Sequence, residues 1–94
     1  MEPYDWGRDL HREYLQQVRR LCDRFGSLLI YDEVLTGFRM ALGGAAAFYG
    51  VIPDLAVYAK ALANGYPVSA FAGTRAAMSA LDKTILTTTY AGET

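Results

Sequence analysis

The stretch LLIYDEVLTGFR, residues 28–39, decides how the chain folds. Its first four residues are bulky and apolar and read as a buried strand over 28–31. Asp32 and Glu33 end that strand abruptly. An unpaired buried carboxylate is costly, so an acid at the end of a buried strand meets a cation or reaches into a site. In open α/β sheets, sites form outside the carboxyl ends of the strands. A second apolar run, 55–59, also ends on a charge, Lys60. If the two strands are parallel, Asp32 and Lys60 emerge on one rim.

Working outward, the region before residue 28 predicts a loop and a helix. Pro3 and Gly7 punctuate the loop, Tyr4 and Trp6 cover an apolar edge, and Asp5 or Asp9 caps the helix. Tyr14, Val18, Leu21 and Phe25 recur at steps of four, three and four, which is a helical stripe. Arg12, Gln16, Arg19, Arg20 and Asp23 then form a solvated outer face, and Gly26 is the C′ residue. Acidic residues interleave with the arginines and no aromatic stacking platform accompanies them, so a nucleic-acid surface is not expected. His11, the single histidine, falls on the polar side and makes no metal cluster alone.

Beyond residue 32, the interval before the second strand is long enough for a parallel crossover, with a short helix over 45–49. Pro53 and Asp54 introduce the strand 55–58. The next connection, 61–67, contains Asn64-Gly65 and Pro67 and is too short for a parallel crossover. The third strand, 68–73, should therefore run antiparallel. Thr74 caps a short helix over 75–81, and a β-rich run follows over 85–90. The fold class is α/β: a mixed sheet flanked by helices. So few strands would leave open edges and an uncovered apolar face, which points to the middle of a larger domain.

Composition sets further bounds. The chain has 94 residues, 52% of them apolar, so it is globular. The formal net charge of −1 gives no broad attraction to nucleic acid or anionic membrane. No apolar stretch approaches a membrane span, and the start lacks a signal-peptide pattern. Cys22 is the single cysteine and suits a reducing cytoplasm.

A carboxylate and an amine on one rim suggest a lysine Schiff base to pyridoxal phosphate, with an acid on the pyridine nitrogen. Lys60 is the nucleophile and Asp32 the electronic partner. The plainer readings are a solvated loop lysine and a helix cap or structural ion pair. For Glu33 the plainer reading, a hydrogen bond to nearby backbone, is preferred. Val34 packs on a flat ring or in the core. Thr87, Thr88 and Thr89 could bind a phosphate, but by composition the plainer reading, strand propensity, is preferred. A rival reading takes LLIYDE as the acidic strand of a P-loop nucleotidase, but the chain has no G-x-x-x-x-G-K-[ST] run.

Three segments resemble one family in order and spacing. LLIYDEVLTGFR resembles the Asp-Glu-Val-x-Thr-Gly-Phe motif of class III pyridoxal-phosphate aminotransferases. PDLAVYAKALANGYPVSAFAG, residues 53–73, resembles the lysine segment of that family, and TTTYAGET, residues 87–94, its phosphate-binding segment. The opening MEP and the helix ending LCDRFG resemble the approach to the aspartate strand. FRMALGGAAAFYGV, residues 38–51, resembles the branch containing glutamate-1-semialdehyde aminomutase.

The resemblance implies that residues 1–94 are a central, incomplete segment of the large domain of a fold-type-I enzyme. It implies pyridoxal 5'-phosphate as cofactor, held by Asp32, Val34, Lys60 and Thr89. Asp32 would pair with the pyridine nitrogen, Val34 would pack on the ring, and Lys60 would form the aldimine and shuttle the proton. Thr89, or Thr88 one position earlier, would contact the phosphate belonging to the neighbouring subunit of a homodimer. Substrates would be a small-molecule amino donor and a carbonyl acceptor. Ala59 and the turn Ala63-Asn64-Gly65 depart from the family pattern without removing a reacting group. The upstream phosphate loop, the ring-stacking aromatic and the small domain of the family have no counterpart here. An inactive remnant or an association module is therefore the alternative.

Overall fold

The computed structural model describes residues 1–4 and 12–85. The elements are α1 (Arg12–Phe25), β1 (Ile30–Asp32), α2 (Gly44–Tyr49), β2 (Leu55–Tyr58), β3 (Ala70–Gly73) and α3 (Arg75–Met78). Single 3₁₀ turns occupy Lys60–Leu62 and Leu81–Lys83. The sheet order is β1-β2-β3. β1 and β2 are parallel, with Ile30, Tyr31 and Asp32 opposite Leu55, Ala56 and Val57. β2 and β3 are antiparallel, as the short connection between them requires. The expected mixed sheet with flanking helices is therefore present. The expected cap at Asp5 or Asp9, Trp6, His11 and most of the run 85–90 lie outside the described residues.

Strand alternation sets the two faces of the sheet. Tyr31 and Ala56 point to one face and are buried with Leu15, Leu29, Ala45, Tyr49 and Val51. Val18, Cys22 and Tyr58 pack on the edge of that core. Ile30 points to the other face and is partly exposed. The Tyr31 hydroxyl has no hydrogen-bond partner among the described residues, and burial pushes it up to about 12, with the Glu33 charge adding to it.

The stripe expected on α1 is offset by one residue. Leu15 is fully buried, and Val18 and Cys22 lean on the core beside it. Of the predicted stripe, Tyr14, Leu21 and Phe25 are exposed, Phe25 at 71%. One residue is about 100° around a helix, so two neighbouring stripes compete for the inward position. An ion pair settles which wins, and it overturns the solvated reading of Arg19. Arg19 Nη1 donates to Asp54 Oδ2 at 2.7 Å, and Nη2 donates to Asp23 Oδ1 at 2.6 Å. The same Asp54 oxygen accepts the Leu29 N–H at 2.8 Å. Asp54 thus ties α1 to the start of both parallel strands. These contacts, the Leu29 N–H first, hold its carboxyl below the usual carboxylate range.

Gly26 closes α1 as expected, with φ +65° and the Ser27 N–H donating to Cys22 O at 2.9 Å. Thr74 Oγ1 accepts the Ala77 N–H and caps α3. That helix ends at Met78, earlier than the sequence predicts, and a 3₁₀ turn continues the segment. β1 begins two residues later than predicted, because the Leu29 N–H is already taken by the Asp54 side chain. Among the described residues no helix is long and apolar enough to cross a membrane.

Candidate functional site

The parallel register carries the two sequence-predicted groups to one rim. Asp32 is the last residue of β1 and sits opposite Val57. β2 ends one residue later, at Tyr58, and Lys60 opens the 3₁₀ turn beyond it. Both therefore lie at the carboxyl end of the β1–β2 pair, where open α/β sheets place ligands.

Asp32 and Glu33 are neighbours in sequence with different fates. Glu33 is fully buried. Its Oε2 accepts the Ala45 N–H at 2.7 Å and the Thr36 hydroxyl at 3.1 Å. Its Oε1 accepts the Ala46 N–H at 3.4 Å. The carboxylate thus satisfies the first turn of α2, whose N-cap, Gly43, offers no side chain. Gly44 makes room for it: a Cβ there would collide with the Glu33 carboxylate, and its φ of +64° is left-handed. Glu33 follows the plainer structural reading. Asp32 is only partly buried, and its Oδ1 accepts the Val34 N–H at 3.1 Å.

Beyond this rim opens a cleft of about 580 Å³. Val34 and Lys60 line it, together with Arg39, Asn64, Tyr66 and Val68. Asp32 is not among its lining residues. Lys60 is exposed and its amine has no ion pair or hydrogen bond among the described residues. Its backbone is left-handed, φ +41°, a conformation that costs a non-glycine residue about 1–2 kcal/mol. The turn is held by the Ala63 and Asn64 N–H groups, which both donate to Lys60 O. Backbone strain at a residue lining a cleft is a pointer to function rather than to packing. Thr88 and Thr89 lie outside the described residues.

Arg39 and Tyr66 reach the cleft without having been singled out in the sequence. Arg39 was legible in principle, being the one cation of the stretch 28–39. A turn brings it there: the Gly37 N–H donates to Glu33 O, and the Arg39 N–H donates to Thr36 O at 3.1 Å. Phe38 between them is left-handed and sets its ring 5.7 Å from that of Tyr58.

Comparison with known proteins bears on the family and the fold. The family described as Aminotransferase class-III matches residues 9–94. A structure described as a transaminase with PLP bound superposes with a TM-score of 0.85 at 33% identity, over 95% of this chain and 23% of its own. The FumI protein of Sphingopyxis sp. MTA144, in its PLP internal aldimine form, superposes with a TM-score of 0.77 at 37% identity, over 83% of this chain and 19% of its own. An omega-transaminase from Sphaerobacter thermophilus gives 0.71 at 36%, over 77% of this chain and 16% of its own. The chain thus spans about a fifth of the length of these structures, and its mixed sheet matches part of a PLP-dependent transaminase fold. The match favours this family over the nucleotidase reading of LLIYDE, and with it the chain belongs to the class-III aminotransferases.

Proposed function

We propose that residues 1–94 form the central segment of the cofactor-binding large domain of a transaminase. The intact protein would transfer an amino group between a small-molecule amino donor and a carbonyl acceptor, with pyridoxal 5'-phosphate as its cofactor. One observation carries this reading. A lysine without a charge partner among the described residues lines a cleft at the rim where the aspartate-bearing parallel strand ends. The residues present fit the cofactor. Val34 offers an apolar wall, and Lys60 offers an exposed amine within the same cleft. When bound, the cofactor supplies an aldehyde for amines and a ring that withdraws electrons from the carbon losing its proton.

The work of this chain is then division of labour. Lys60 Nζ would hold the cofactor and would serve as the general base and acid that moves the substrate's proton. Asp32 holds a proton on the pyridine nitrogen, and the Val34 N–H on its Oδ1 fixes its direction. The Val34 side chain packs on the ring. By the resemblance of residues 87–94, Thr89, or Thr88, would contact the phosphate, in a homodimer that of the neighbouring subunit. The resemblance of 38–51 to the glutamate-1-semialdehyde aminomutase branch supports an aminomutase or a related aminotransferase of that branch.

The test uses the intact protein loaded with pyridoxal phosphate. Borohydride reduction followed by peptide mapping should place the label on Lys60 and not on Lys83. Lys60→Ala should abolish the visible band and slow transamination by roughly 10²–10⁴-fold. A variant that keeps both its band and its rate would sink the assignment.

A further inference from the structure

The chain has a single asparagine, Asn64, and a glycine follows it. The pair forms the centre of a tight turn. The Tyr66 N–H donates to Ala63 O at 3.2 Å, and φ is +48° at Asn64 and +106° at Gly65. Positive φ at both central positions marks the mirror-image turn that Asn-Gly favours. Both residues are exposed. The Asn64 side-chain amide and the Gly65 N–H make no hydrogen bond among the described residues. A Cβ at Gly65 would meet no heavy atom within 4 Å, so the approach to its nitrogen is open. The turn also belongs to the cleft. Asn64 and Gly65 line it beside Lys60, and the Asn64 N–H donates to Lys60 O at 2.9 Å.

An asparagine followed by an unhindered backbone nitrogen is a chemically labile pair. We propose that Asn64 is a site of spontaneous deamidation, and that the reaction places a carboxylate in the cleft beside Lys60. The Gly65 nitrogen gives its proton to solvent base and attacks Asn64 Cγ. The N–Cγ bond forms, the bond from Cγ to the side-chain nitrogen breaks, and that nitrogen takes up a proton and leaves as ammonia. Water then opens the cyclic imide at one of its two carbonyls, giving aspartate or isoaspartate. Closing the ring rotates Asn64 about its Cα–C bond. The turn bond that opposes this rotation, at 3.2 Å, is at the long end of the N–H···O range. Among the described residues no carboxylate lines the cleft, so the product brings in a charge of new sign. A carboxylate beside the Lys60 ammonium favours its charged form, in which the amine is not a nucleophile. Deamidation is thus a slow clock on the reactivity of the lysine.

The intact cofactor-loaded protein is incubated at 37 °C, and its peptides are mapped by mass spectrometry over time. Asn64 should be lost to a mixture of aspartate and isoaspartate. The loss should be faster at pH 9 than at pH 6, because the attacking nitrogen must shed its proton. The effect on the lysine is read in the intact cofactor-free protein with limiting acetic anhydride. Asn64→Asp should lower acetylation of Lys60, relative to the exposed Lys83, by about 2–5-fold. Asn64→Ser, which changes the side chain without adding charge, should label as the wild type does. Three results overturn the proposal: Asn64 that stays intact in the folded protein at pH 9, Lys60 labelling indifferent to Asn64→Asp, or an equal fall in Asn64→Ser. Neither readout uses the role proposed for Lys60, whose failure shows instead as a visible band that survives Lys60→Ala.

Discussion

At the amino end of the β1–β2 pair, the charges that join helix to strands are paired: Arg19 bridges Asp23 and Asp54, and Asp54 also takes the Leu29 N–H. At the carboxyl end of the same two strands, Lys60 and Arg39 share a cleft and neither has a partner among the described residues. Between them Glu33 is wholly committed to α2. The two rims are built from the same residue types, so residue type cannot separate framework from site. Satisfaction does. A charge held by three contacts defines geometry, and a charge left open on a rigid rim is available to a ligand.

The largest break in this contrast comes from removing the committed acid. Glu33→Ala leaves the Ala45 N–H and the Thr36 hydroxyl buried without an acceptor and should cost about 2–4 kcal/mol. Hydrogen exchange of the Ala45 and Ala46 amides in the intact protein should accelerate accordingly, and Glu33→Gln should restore part of the protection. Unchanged exchange would mean that α2 is held by other means.

A smaller effect is expected at the opposite rim. Asp54→Ala would give the amino end an unpaired cation and leave the Leu29 N–H open, at a cost of about 1–3 kcal/mol. The sign with pH follows from the depressed carboxyl of Asp54. Its contribution is present above the unfolded value of about 4 and is lost as pH falls through the lower folded value. The destabilisation by Asp54→Ala should therefore shrink as pH is taken down from 6 to 3. A pH-independent difference would show that the contact acts by shape and not by charge.

The smallest effect belongs to Thr74, whose N–H donates to Asp54 O at that same rim. Thr74→Ala removes only the cap on a four-residue helix and should cost about 0.5–1 kcal/mol. Faster exchange confined to the Ala77 amide would mark a local cap. Spread to Leu55 would extend the amino-end framework to include α3.

Much of this was legible in the residues because local signals and topology agree. The strand 55–58, the antiparallel third strand and the caps at Gly26 and Thr74 follow from apolar runs, loop length and turn chemistry. The inward face of α1 did not follow. Tyr14, Leu21 and Phe25 are more apolar than Arg19, yet Arg19 faces inward because an aspartate 35 positions away receives it. Such a partner is invisible to periodicity. The strand-end places of Asp32 and Lys60 were legible in the sequence, and the parallel register puts both on one rim. Arg39 reaches the cleft only through the left-handed turn at Phe38, a backbone choice that its residue type does not announce.

Glu33 also bears on the order of assembly. Pairing β1 with β2 joins Leu29 to Asp54 across 25 positions, whereas the Glu33 bond to Ala45 spans only 12. Loops of about ten residues close in roughly 10–100 ns, and the entropic cost of closure rises with loop length. Once the shorter loop is tied, the chain left free before Asp54 is brief, and the longer closure becomes a short local step. The acid withheld from the cleft thus shortens the loop that the parallel pairing must close.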